Sequence, residues 1–206
     1  EAQTIKLFKV CVMRKIPIFT FINKLDREAR DPFELLDDIE SVLGIRTCPV
    51  NWPIGSGKNF KGVYDRQTKQ INKFTAANAG MKEVDTQLIE LDDSKLDDYI
   101  GFDYADILRN DIELLDGASD ELDMDKVSVG ELSPVFFGSA LTNFGVQTFL
   151  EHFLRMTSSP LKRKTHEGYV DPMKDEFFSA FVFKIQANMN KAHRDRIAFM
   201  RICSGE

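Results

Sequence analysis

The chain is poor in the residues that staple a fold with covalent bonds or metal. Of its 206 residues only three are cysteine, Cys11, Cys48 and Cys203, and three are histidine, His152, His166 and His193. The cysteines are odd in number, far apart and without a C-x-x-C pair. That excludes a disulfide framework or zinc ribbon and fits a reducing compartment. The histidines have no metal-ligand spacing and read as surface or packing residues. No apolar run approaches the ~18 residues a membrane-spanning helix needs. There is no internal repeat, no low-complexity tract, and no basic-then-apolar start of the signal-peptide kind. The chain opens at Glu1 on a helix-like segment and stops after a strand-like one, so it reads as a piece of a longer protein.

What is present is a globular composition, 43% hydrophobic and 29% charged, with enough apolar surface to bury a core. The length exceeds one typical domain and falls short of two. The net charge of −6 hides an asymmetry. Residues 83–125 hold sixteen acids against two bases, Lys95 and Arg109, which is −14 and leaves +8 for the rest. Such a stretch is either a solvated acidic helix pair or one face of a protein whose other face attracts polyanions.

Periodicity divides the chain. Ile5, Phe8, Cys11 and Val12 fall at helical spacing over residues 4–15, and Pro17 ends that helix. The apolar run 18–22 suits a buried parallel strand. Asp31 and Pro32 read as N-cap and first helical residue, Phe33, Leu36, Ile39 and Leu43 as the buried stripe, and Gly44 as the stop. Helix, strand, helix in this rhythm predicts an α/β sheet. The rhythm breaks at residue 48, where Pro49 and Pro53 restrict any strand to a sheet edge. Residues 61–64 and 70–74 predict a hairpin, and 95–115 one long acidic helix, weakened at Gly101 and closed at Asp116 and Gly117. Strand 134–137 and helix 146–155 resume the α/β rhythm. Residues 157–165, polar and basic around Pro160, predict a linker, and 177–185 and 197–203 two long strands of a separate β unit.

The chemistry lies in two loops. Asn23, Lys24, Leu25 and Asp26 follow the strand 18–22, at the end of a parallel strand where open α/β sheets bind ligands. A fixed carboxylate at Asp26 suits guanine, whose ring N–H and exocyclic amine form a donor pair that adenine lacks on that edge. Such a site rejects analogues without the pair, because its own groups are then left unpaired. Asn23 can bridge the base to a neighbouring loop, and the Lys24 methylenes can cover a base face. Ser139, Ala140 and Leu141 follow the strand 134–137 at the equivalent position, where small residues let backbone N–H groups approach a base carbonyl.

These loops resemble the NKxD and SAL guanine-recognition loops of the translational GTPases. Their separation of 116 residues exceeds a ~30-residue βαβ unit by roughly 85. An insert at this place is typical of elongation factor G and of the peptide chain release factor 3 family. The stretch from Trp52 through Asp65 resembles the opening of that insert. Residues 181–190 and 193–201 resemble the release factor 3 family rather than elongation factor G.

The resemblance implies an α/β fold. Residues 1–47 and 131–156 would form the C-terminal half of a P-loop-type G domain, and 48–130 an inserted acidic α+β subdomain. Residues 157–176 would be a linker, and 177–206 the first strands of a β-barrel. It implies Asn23, Lys24, Asp26, Ser139, Ala140 and Leu141 as guanine-binding residues, with GTP or GDP as ligand and Mg²⁺ as metal, its ligands outside this stretch. The family is cytoplasmic and monomeric. It acts on the ribosome and promotes departure of class I release factors with GTP hydrolysis. An elongation factor G-like translocase and a non-catalytic ribosome-binding module are the alternatives. No catalytic residue is expected here. The acidic insert would be either solvated or a contact for a basic ribosomal protein. Lys162, Arg163, Lys164, Arg194 and Arg196 would be solubilising or would touch rRNA phosphates.

Gly55, Ser56, Gly57 and Lys58 mimic a phosphate loop. Trp52 stands where its first glycine belongs and Asn59 where its hydroxyl residue belongs, so these residues read as a plain loop.

Overall fold

The structure, a computed structural model, describes residues 2–73, 85–187 and 196–205. Two compact units are formed, Glu1–Thr157 and Ser158–Glu206.

In the first unit, α1 (Ala2–Met13) half-buries Ile5, Phe8 and Cys11 and leaves Val12 exposed. β1 (Thr20–Ile22) follows, shorter than the apolar run suggests. α2 (Pro32–Leu43) is capped as its sequence dictates. The Asp31 side chain accepts from the Phe33 and Glu34 N–H groups, and Gly44 ends the helix in the left-handed region. β2 (Arg46–Pro49) then enters the first sheet. This strand runs through the expected boundary at residue 48, so the sheet holds the chain as far as Pro49.

β3 (Asn51–Ile54), β4 (Gly62–Asp65), β5 (Gln70–Lys73) and β6 (Asp85–Leu88) form an antiparallel meander in that order. The two prolines sit where a missing N–H costs least: β2 and β3 are each the end strand of their sheet. The expected long acidic helix is two. α3 (Lys95–Ile100) and α4 (Phe102–Ala118) are separated by Gly101, whose φ of +97 is closed to most side chains. α4 runs on through Gly117 rather than stopping there. Ala105, Leu108, Ile112 and Leu115 form its buried face. α5 (Met124–Ser128) leads into β7 (Leu132–Phe137), which is buried throughout. β7 is the centre of the first sheet, parallel to β1 on one side and to β2 on the other. α6 (Val146–Met156) closes the unit.

One hydrophobic core serves both sheets. It joins Leu25, Leu36, Val135 and Phe137 to Trp52, Ile54, Val63, Ile71, Leu96 and Leu108. Polar pairs reinforce the junction. β2 stops pairing at Val135, and the Asn51 side chain then takes over as a strand would. Its amide nitrogen donates to the Phe137 carbonyl at 3.1 Å, and its oxygen accepts from the Phe137 N–H at 2.7 Å. Trp52, fully buried, tilts against Phe33 and meets the Phe137 ring edge-on. Its indole N–H bonds Asp111 on α4 at 2.9 Å. Burial pushes the Asp111 carboxyl up, and the indole bond opposes that.

His152 on α6 is a packing histidine, bonded through Nε2 to Asp65 on β4 at 2.7 Å. Burial alone would push the Asp65 carboxyl up. The His152 bond and the Thr68 and Gln67 N–H groups outweigh it and hold the carboxyl below its ordinary value. His166 is exposed, and His193 lies outside the described residues. The cysteines are free, and burial raises the Cys48 thiol to about 11.

In the second unit, β8 (Arg163–Lys164) and β9 (Tyr169–Val170) pair within the stretch expected as a linker. The Lys162 ammonium meets Asp171 at 3.2 Å. β10 (Ser179–Ala187) and β11 (Arg196–Ser204) are the two long strands, antiparallel. Phe181, Phe183, Ile185, Ile197, Met200 and Ile202 on them are exposed.

Two outcomes follow for the junction. Asn51→Leu leaves two buried backbone groups of Phe137 unpaired and is expected to cost about 2–5 kcal/mol, read as a lowered urea midpoint. Asp65 stabilises the fold above the unfolded carboxylate pKa of about 4. That contribution is lost as pH falls through its lower folded value. The midpoint should therefore drop on acidification, and Asp65→Asn should make the drop shallower.

Candidate functional site

Parallel pairing of β1 with β7 sets Ile22 beside Phe137, so the loops after both strands emerge together. The backbone then zips beyond the strands. The Gly138 N–H donates to the Ile22 carbonyl at 3.0 Å, and the Leu25 N–H to the Gly138 carbonyl at 3.2 Å. Residues more than a hundred positions apart are thereby brought into contact.

Five of the six expected site residues are joined by hydrogen bonds, four of them across the two loops. Asn23 Oδ1 accepts from the Ala140 N–H at 2.8 Å and from the Lys24 N–H at 2.8 Å. The Ser139 hydroxyl, fully buried, donates to Asp26 Oδ1 at 2.5 Å. The Asp26 carboxylate is only 17% exposed, and its Oδ2 lies 3.9 Å from Arg27 Nε. Lys24 turns the chain at φ +73, with its side chain outside the core. Leu141 stands at the exposed tip of its loop, joined by no such bond.

Asn23 bonds the neighbouring loop through its side-chain oxygen. The Ser139 N–H is taken by the Phe144 carbonyl and the Ala140 N–H by Asn23. The Ser139 hydroxyl fixes one oxygen of Asp26. Nothing in the local sequence marks that bond, because it spans 113 positions. Leu25 has a structural role that the motif does not mark. It is 2% exposed and roots the polar loop in the core. Its signal is one apolar residue among polar neighbours.

Gly55, Ser56, Gly57 and Lys58 form no phosphate cradle at a helix of useful length. Gly57–Asn59 is one turn of 3₁₀ helix between β3 and β4. Among the described residues no group of three or more histidine, cysteine, aspartate or glutamate side chains is placed to hold a metal ion. No described helix is long and apolar enough to cross a membrane.

The elongation factor Tu GTP binding domain model matches residues 1–159. The chain belongs to that family. The model for elongation factor G domain 2 matches residues 177–206. Curated relatives named peptide chain release factor 3 match over the whole of this chain. That of Symbiobacterium thermophilum is 57% identical over 205 residues, covering 100% of this chain and 39% of the relative. Those of Gloeothece citriformis and Microcystis aeruginosa are each 51% identical over 206 residues, covering 100% of this chain and 38% of the relative. The chain thus spans about two-fifths of the length of these curated relatives. The corresponding resemblance read from loops 23–26 and 139–141 and from the tail agrees with these names. Residues 188–195 of that tail lie outside the described residues.

The Asn23 bond is expected to hold the loops in register. In Asn23→Ala the Ala140 and Lys24 amides lose their acceptor. Their hydrogen exchange should quicken about fivefold, from a bond worth about 1 kcal/mol, while amides of β4 and β5 keep their rates.

Proposed function

We propose that loops 23–26 and 139–141 are the guanine-reading half of a GTP/GDP site in a ribosomal GTPase of translation termination. The observation that carries this is the Ser139–Asp26 bond beside the Asn23–Ala140 bond. Together they present an oriented carboxylate at the ends of two parallel strands, where a ring N–H and an exocyclic amine find a paired acceptor. Asn23, Asp26, Ser139 and Ala140 shape the pocket edge, the Lys24 stem covers a base face, and Leu141 borders the base.

The parent acts on the ribosome and promotes departure of class I release factors, with GTP hydrolysis tied to its own release. The names of the relatives support that reading over an elongation factor G-like translocase. Phosphoryl transfer requires a phosphate loop, Mg²⁺ and a group that positions water. We assign these to the rest of the parent, so this chain alone reads the base and hydrolyses nothing. Within it, residues 1–47 and 131–156 are G-domain parts and 48–130 the acidic insert. Residues 157–176 connect to 177–206, which open a β-barrel.

Asp26→Asn tests the reading in the full-length protein. The amide replaces an acceptor by a donor, so GTP affinity should fall about tenfold to hundredfold, the value of about 1.5–3 kcal/mol for a charge-assisted bond. Xanthine nucleotides, with a carbonyl in place of the amine, should bind better than to the parent. Fluorescent-nucleotide titration measures both. Unchanged GTP affinity overturns the reading.

A further inference from the structure

The turn between β3 and β4 touches both loops of the proposed site. The Gly57 N–H donates to the Leu25 carbonyl at 2.9 Å. Gly57 has φ +57, and a Cβ there would lie 2.5 Å from Glu28 Oε1 and 3.0 Å from the Glu28 backbone nitrogen. Only glycine lets this turn approach the 23–26 loop so closely. One residue past the 3₁₀ turn, the buried Phe60 ring packs edge-on against Phe144 at 5.3 Å. Phe144 in turn exchanges both backbone hydrogen bonds with Ser139, at 3.0 and 2.9 Å. The turn is itself closed by the Lys61 N–H on the Ile54 carbonyl at 2.8 Å, which fixes it to its own strands.

We propose that Gly57 and Phe60 are positioning residues for base recognition. The β3–β4 turn clamps one loop through Leu25 and the other through Phe144, and so sets the separation at which Asn23 meets Ala140 and Asp26 meets Ser139. The inference rests on the guanine reading above and deepens it. The meander controls the base pocket through this clamp without touching the nucleotide.

The test uses the full-length protein and a fluorescent GDP analogue. Gly57→Ala and Phe60→Leu should each speed GDP dissociation about tenfold, the effect of losing roughly one well-placed interaction. Ile71→Val, on β5 of the same core and paired with β4 and β6, is the control for lost stability. It should lower the nucleotide-free melting temperature and leave GDP dissociation unchanged. If Gly57→Ala does not fold, Phe60→Leu, which keeps an apolar side chain, decides alone. Unchanged dissociation in the clamp variants, or an equal change in Ile71→Val, overturns the clamp. Asp26→Asn measured in parallel separates the two ideas. If it shifts preference to xanthine while the clamp variants bind as the parent does, the clamp alone falls. If it leaves guanine affinity unchanged, the guanine reading falls and the clamp with it.

Discussion

The structure depends on how the end of β7 satisfies its backbone. A buried strand must find partners for every N–H and C=O, and β7 loses its β2 neighbour after Val135. At Phe137 the Asn51 side chain supplies both missing bonds. At Gly138 the Ile22 carbonyl and the Leu25 N–H supply the other two. These two residues therefore tie together the β1 loop, the chain leaving β2, and the start of the second loop. Loss of any partner would leave a polar group stranded in the core, at a cost comparable to much of a domain's margin.

That requirement explains why the parallel sheet and the antiparallel meander form one body. The sequence suggests a break at residue 48, where prolines interrupt the α/β rhythm. The prolines do place β2 and β3 at sheet edges. They do not separate the two sheets, because Leu25, Trp52 and Phe137 share one core. The acidic charge stays compatible with this packing because the few bases are spent at the seams. Arg66 bonds the Pro49 carbonyl and reaches Asp116, while Arg109 holds the Leu91 carbonyl and Asp97.

Local chemistry was legible and long-range chemistry was not. The Asp31 cap, the Gly44 stop, the edge prolines and the apolar strands read directly, since each depends on residues within a turn of itself. Two loops at parallel strand ends were legible by motif. The split at Gly101 is larger than helix propensity alone implies, because the glycine adopts a positive φ. The partners of Asn51, Ser139 and His152 are illegible in the sequence. Each lies between 86 and 113 positions away, and no spacing rule reaches that far.

The only tryptophan of the chain, Trp52, is wedged between Phe33 and Phe137 with its indole N–H on Asp111. It thus borders α2, β7 and α4 at once. Its fluorescence is an intrinsic optical gauge of the joint between the two sheets. A shift of the meander against β7 or α2 would alter the surroundings of this one chromophore, without a label.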